Sequence, residues 1–143
     1  MVKSIALASD HGGYDLKEFL REYLLHREVR CIDLGTDNQV SVDYPDFAHS
    51  LAVSLKKRDA DFGILICGTG IGVSIAANRF KHIRAALVHD TETAKLSRKH
   101  NDANVIVFGG RLINFYTARD SLDVFLETDF DGGRHQKRID KLL

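Results

Sequence analysis

The sequence holds only two cysteines, Cys31 and Cys67, and a single proline, Pro45, in 143 residues. Two cysteines make no disulfide framework, and a reducing, cytoplasmic setting is expected. The lone proline marks no domain boundary, and there are no internal repeats, low-complexity tracts or linkers. An excess of charge of one sign is also missing. Lys+Arg 20 balances Asp+Glu 20, which argues against nucleic acid or a membrane surface as partner. No apolar run approaches the ~18 residues of a membrane span. Met1-Val2-Lys3-Ser4 runs straight into a strand, so no signal peptide is expected. Residues 1–143 are therefore expected to form one domain with a full-sized core.

What is present is organised around Phe62 to Asn78, FGILICGTGIGVSIAAN. The continuous apolar run Ile64-Leu65-Ile66 reads as a central strand of a parallel sheet, buried on both faces. It reaches Cys67, breaks into Gly68-Thr69-Gly70-Ile71-Gly72, and continues as a helix from Val73-Ser74-Ile75-Ala76-Ala77. Strand, glycine loop and helix start together form a corner where backbone N–H groups and the helix dipole favour negative charge. A thiol at the lip of such a corner suggests chemistry on an anionic substrate.

The rest of the chain alternates in the same way. Ser4–Ser9 reads as a strand ending in Asp10-His11-Gly12-Gly13, and Leu16, Phe19, Leu20, Tyr23 and Leu24 form one face of a helix. Val29–Leu34 is a second strand. Asp43-Tyr44-Pro45-Asp46 opens a second helix, with Pro45 suited to its first turn and Asp46 to its positive end. Arg84–Val88 and Asn104–Phe108 are the fourth and fifth strands, separated by a helix over about Thr91–Lys99. A helix over Asn114–Glu127 and a short basic helix, Arg134–Leu143, complete the chain. Five strands alternating with helices imply an α/β fold, a Rossmann-like three-layer α/β/α sandwich with a parallel sheet and right-handed crossovers. The commonest order, 2-1-3-4-5, would place Asp10-His11 and Cys67-Gly68-Thr69 across one crevice at the switch point between the first and third strands.

Each candidate residue also has a bland reading. Cys67 could be a small core hydrophobe. Against that, an ordinary thiol is only a few per cent thiolate at neutral pH with a pKa of ~8.5, and a helix start favours the thiolate, which can then act as base or nucleophile. Cys31, mid-strand, is structural. Gly68-Thr69-Gly70-Ile71-Gly72 invites a dinucleotide reading, with Asp90 twenty residues after Gly70 as a ribose-binding acid. Yet the loop follows the third strand, and Val73 stands where the last glycine belongs. A single phosphate or sugar oxygens fit better. Asp10 and His11 could merely cap a helix, His100 and Asn101 could be a helix exit, and Arg111, Arg134 and Arg138 could be solvated. Together, however, His11, Arg111, Arg134 and Arg138 are the set wanted for a phosphate, and Asp10, Cys67, Thr69 and His100 the set wanted for proton transfer. The seven histidines form no H-x-x-x-H and no Cys–His pair at zinc spacing, so no metal site is expected.

Asp10-His11-Gly12-Gly13, Asp43-Tyr44-Pro45, Cys67-Gly68-Thr69-Gly70-Ile71-Gly72, Ala76-Ala77-Asn78, His100-Asn101-Asp102, Asn104 and Gly133-Arg134-His135 resemble the type B ribose-5-phosphate isomerases. That family also holds galactose-6-phosphate and allose-6-phosphate isomerases. The resemblance runs through nearly the whole chain in order. It implies interconversion of D-ribose 5-phosphate and D-ribulose 5-phosphate through a cis-enediol(ate), in the non-oxidative pentose phosphate pathway, without metal or organic cofactor. Cys67 matches the base that moves a proton between C1 and C2. Other members place a glutamate just after the glycine loop, where this chain has Val73-Ser74-Ile75. His100 matches the acid that opens the furanose ring, with Asp10 beside the ring oxygens. Gly68, Thr69, Gly70, Ile71 and Gly72 match the loop that cradles the enediolate oxygens, to which Thr69 can add its hydroxyl. Asn101 and Tyr44 match sugar-binding positions, and His11, Arg111, Arg134 and Arg138 match the phosphate contacts. The resemblance further implies a homodimer, or a dimer of dimers, with sites at the subunit interface. The competing readings are a hexose-6-phosphate isomerase and a nucleotide- or sugar-phosphate-binding sensor.

Overall fold

The computed structural model of the chain describes residues 4–142. The strands are β1 (Ser4–Ser9), β2 (Arg30–Asp33), β3 (Phe62–Cys67), β4 (Ala85–Leu87) and β5 (Val105–Gly109). The helices are α1 (Tyr14–His26), entered through a 3₁₀ turn at His11–Gly13, then α2 (Tyr44–Lys56), α3 (Ile71–Ala77), α4 (Thr91–Asn101), α5 (Phe115–Glu127) and α6 (Arg134–Ile139). No helix among the described residues is long and apolar enough to cross a membrane.

All strand pairs are parallel. Strand alternation sends Ile5, Leu7, Ile64, Ile66, Ile106 and Phe108 to one face, where they meet α1, α4 and α5. It sends Ala6, Ala8, Leu65, Cys67, Val105 and Val107 to the other, where they meet α2 and α3. Small residues on the second face let Leu51 approach so closely that a Cβ on Gly63 would lie 2.7 Å from its Cδ2. The three-layer sandwich expected from the sequence is thus present.

The strand order is β2-β1-β3-β5-β4, which corrects the expected 2-1-3-4-5 at its last two positions. The cause is burial. β5 is buried at every residue and takes the inner place beside β3, with Gly63 opposite Val105 and Cys67 opposite Gly109. β4 is three residues long and half-buried throughout, as suits an edge. The connection from β4 then steps back inward, and right-handedness places α4 on the α1 face rather than with α2 and α3. The switch point between β1 and β3 is untouched by the exchange.

An ion pair inside the fold carries one loop toward that switch point. Lys17 of α1 is fully buried, and its Nζ lies 2.8 Å from Asp33 Oδ1. The same Oδ1 accepts the Gly35 N–H at 3.0 Å. Gly35 in turn accepts the Ser9 N–H at 2.8 Å, and the Thr36 N–H donates back to Ser9 at 2.8 Å. The segment leaving β2 is therefore pinned to the end of β1.

Candidate active site

The carboxyl ends of β1 and β3 bring two motifs into contact. A Cβ on Gly12 would sit 2.9 Å from the Gly68 nitrogen, so the two loops touch only because residue 12 carries no side chain. Asp10 is buried, and its Oδ1 accepts the N–H groups of Gly12 at 2.9 Å and Gly13 at 3.2 Å. The capping reading of Asp10 is therefore correct, and it fixes the carboxylate at the crevice.

Cys67 is the last residue of β3 and is buried within the second core face. Its sulfur also accepts the Gly70 N–H at 3.2 Å. This contact depends on Gly70, whose φ of +79° folds the loop back. A Cβ there would meet Leu87 Cδ1 at 2.5 Å and the backbone of Phe108 and Gly109 at 2.9 and 3.0 Å. Thr69 is exposed, and its Oγ1 accepts the Ile71 N–H at 3.2 Å, which leaves the hydroxyl hydrogen free to donate outward. Tyr44, the first residue of α2, lays its ring over Gly72, where a Cβ would lie 2.7 Å from Cζ.

His11, Gly12, Gly110 and Arg111 line a cavity of about 260 Å³ at this edge, together with Asp15, Gln39 and Phe115. His11 Nδ1 accepts the Val42 N–H at 3.2 Å, which puts the proton of the neutral ring on Nε2. The Arg111 backbone N–H donates to Gly68 at 3.0 Å, and its guanidinium forms no salt bridge among the described residues. Gln39 donates to Asp15 at 2.8 Å. Sequence reasoning passed over Gln39 and Val42 because the segment from Asn38 to Val42 carries no motif. Its value comes from the backbone, and from the Lys17–Asp33–Gly35 tie that aims it.

The remaining candidates stand elsewhere. His100 and Asn101 end α4, beside the beginning of the sheet. The Asn101 carbonyl accepts from Arg84 Nε at 3.1 Å, and the Asn104 N–H donates to Arg84 at 3.0 Å just before β5 starts. From there β5 runs roughly 13 Å to the level of Cys67, at ~3.3 Å per residue. Arg134 and Arg138 lie on α6, which packs on α4. One chain therefore joins Asp10, His11, Tyr44, Cys67, the glycine loop and Arg111. It does not bring His100, Asn101, Arg134 or Arg138 to them, a separation compatible with the subunit-interface sites that the resemblance implies.

The second group has its own internal order. The Asp131 N–H donates to the Lys99 carbonyl at 3.1 Å, and the His100 and His135 rings stack at 4.4 Å and 17°. A ligand atom from each of His100, Asp131 and His135 lies within 4.8 Å of the others, a grouping that sequence spacing did not reveal. Stacked rings aim their lone pairs in parallel, and Arg134 and Arg138 stand close, so the set is poorly suited to a cation. The pKa of His135 is lowered by burial first, then by the positive charge of His100, Arg134 and Arg138, with Asp131 opposing.

Asp90 is accounted for without a ribose. It caps α4, accepting the Thr93 N–H at 2.8 Å in a reciprocal capping box. That bond is the main reason its carboxyl lies below the usual range.

Fold and geometry together define an α/β protein with an anion-accepting crevice at its topological switch point. The chain belongs to the Ribose/Galactose Isomerase family, whose model matches residues 5–142. It is 43% identical to ribose-5-phosphate isomerase B of Escherichia coli over 141 residues, covering 99% of this chain and 95% of that protein. Among solved structures, a ribose 5-phosphate isomerase from Thermotoga maritima superposes with a TM-score of 0.97 at 51% identity, covering 98% of this chain and 97% of the other. Ribose-5-phosphate isomerase B from Mycoplasma genitalium, solved with bound ribulose-5-phosphate, gives a TM-score of 0.93 at 45% identity, with 99% and 95% covered.

Proposed function

We propose that this protein interconverts D-ribose 5-phosphate and D-ribulose 5-phosphate by proton transfer through a cis-enediol(ate), in the non-oxidative pentose phosphate pathway of the cytoplasm. The observation that carries the reading is the apposition of Gly12 and Gly68, which sets the Asp10 carboxylate beside the Cys67 loop. In this reading His100 protonates the furanose ring oxygen as the C1–O bond breaks, and the C1 hydroxyl gives its proton to Asp10. The Cys67 thiolate then takes the proton from C2, and electrons move into the C1 carbonyl to give the enediolate. The loop N–H groups and the Thr69 hydroxyl receive the developing oxyanion charge. Each such donor supplies about 10²–10³-fold. Cys67 returns the proton to C1 while the O2 hydroxyl gives up its proton and O1 takes one up, so that C2 becomes the ketone and C1 a hydroxymethyl group. Tyr44 and Asn101 hold the sugar, while His11, Arg111, Arg134 and Arg138 hold the phosphate. Binding energy from that remote group can position the reacting carbons. The chemistry needs neither metal nor organic cofactor.

The two separated groups of residues support a homodimer, or a dimer of dimers, in which the α4–α6 group of one chain completes the crevice of another. That arrangement accounts for phosphate ligands at both ends of one sheet.

Incubation with ribose 5-phosphate in D₂O containing EDTA, followed by NMR, tests the reading. Ribulose 5-phosphate carrying deuterium at C1 is the expected product. Absence of product from ribose 5-phosphate, with turnover of a six-carbon sugar phosphate, would transfer the assignment to a hexose-phosphate isomerase. Binding of nucleotides or sugar phosphates without turnover of any would favour the sensor.

A further inference from the structure

The imidazole of His135 lies outside every role assigned above, yet it is buried and lies face to face with His100. We propose that His135 is a positioning residue for His100: its ring face fixes the plane of the His100 imidazole, and with it the direction of the N–H offered to the sugar ring oxygen. The inference rests on the isomerase reading, in which His100 is the ring-opening acid.

The local fold supplies the means. Gly132 and Gly133 both have positive φ, +67° and +55°, and this turn starts α6 with the His135 N–H donating to Gly132 at 3.1 Å. The turn is tied to α4 through the bond from Asp131 to Lys99, one residue before His100. Chain geometry on both sides therefore holds the two rings at 4.4 Å and 17°. Buried on one side by the His135 ring, His100 cannot rotate about its χ2 without losing that contact. Arg134 and Arg138, on the same short helix, are left to face an anion.

The charge state suits the role. The groups facing His135 are His100 from α4, Asp131 from the turn, and Arg134 and Arg138 from α6. Burial first, and then the neighbouring His100, Arg134 and Arg138, favour the neutral ring, with Asp131 opposing. A neutral ring can stack on His100 in either protonation state of the latter. A protonated His135 would instead add a third fixed cation beside the two arginines and repel an imidazolium at His100.

The test compares His135→Ala, which removes the ring, with His135→Phe, which keeps a stacking face and cannot titrate. Small misalignment of a catalytic group costs up to about 100-fold in rate. His135→Ala is expected to lower kcat for ribose 5-phosphate by about 10–100-fold with KM within about twofold, and His135→Phe to recover most of it. In parallel, the His100 ring proton signals, assigned by their loss in His100→Ala, are expected to move downfield in His135→Ala, because the ring current of the stacked partner is gone, and to stay shielded in His135→Phe. Unchanged kcat in His135→Ala overturns the proposal, as does His135→Phe being as slow as His135→Ala. If the wild-type protein does not turn over ribose 5-phosphate, the isomerase reading fails. The NMR arm then still decides the stack: unshifted His100 signals in His135→Ala would show that the rings do not hold each other in solution.

Discussion

The two groups of candidate residues are built in opposite ways. At the carboxyl edge the crevice is made mostly of backbone. Gly12 presses on Gly68, Gly70 on Phe108 and Gly109, and Gly72 on Tyr44. Side chains there are tied to main-chain N–H groups: Asp10 to Gly12 and Gly13, Cys67 to Gly70, His11 to Val42. On α4 and α6 the group is made of side chains, held by one backbone bond from Asp131 and a pair of stacked rings. A rigid frame for the reacting carbons needs atoms that cannot move, and main chain at a strand end supplies them. In the proposed dimer, reaching a substrate held by another chain calls for long side chains on a surface helix. The contrast teaches that the first group is specified by one chain alone, whereas the second acquires a role only under the proposed dimer.

The sharpest way to break the first group is Cys67→Ala. Loss of the base should lower turnover by about 10²–10⁴-fold while ribose 5-phosphate still binds, as read by NMR turnover and by calorimetric titration. Near-normal turnover would remove Cys67 from the mechanism. The second expectation joins the groups. Cys67→Ala and His100→Ala proteins are each expected to be nearly inactive alone. Unfolded together and refolded, a shared-site dimer should regain about a quarter of wild-type activity, because half of the dimers pair unlike chains and each such dimer holds one intact site. A mixture as inactive as its parents would place each whole site within one chain.

Gly70→Ala probes the frame rather than the chemistry. A side chain at φ +79° that meets Leu87 and the β5 backbone should cost roughly 2–4 kcal/mol, combining backbone strain with overpacking. Denaturant unfolding measures it. The smallest effect is expected at Asp90→Ala. The carboxyl of Asp90 is held below its ordinary pKa by Thr93, so its contribution is present above the unfolded value of ~3.9 and disappears as pH falls through the folded one. The variant should unfold slightly below wild type at pH 7, and the difference should shrink as pH falls below ~3.9. It should not change nucleotide affinity, which sets capping apart from ribose binding.

Much of this was legible in the residues. Cys67-Gly68-Thr69-Gly70-Ile71-Gly72 at the end of an apolar run announced both the central strand and the loop, and Asp10-His11 announced the facing turn. The exchange of the last two strands was not seen, because Arg84–Val88 and Asn104–Phe108 both read as short apolar strands. What separates them is bulk: Ala85-Ala86-Leu87 fills less space than Val105-Ile106-Val107-Phe108. Nor could the separation of His100 from Cys67 be read, since helix α4 reverses the chain and carries His100 to the far end of the sheet. Asn38 to Val42 escaped notice because main-chain donors leave no mark on side-chain pattern. His135 was visible as part of Gly133-Arg134-His135, but its stack on His100 is a tertiary fact.

The same strand order governs how copies of this chain can meet. The sheet is bounded by β2 with four residues and β4 with three, and β2 ends in the charged Arg30 and Asp33. Borders this brief, one of them charged and the other only three residues long, offer little template for a foreign strand. Growth of the sheet from molecule to molecule is thereby discouraged, and a crowded solution of this protein has little means of seeding fibrils through its edges.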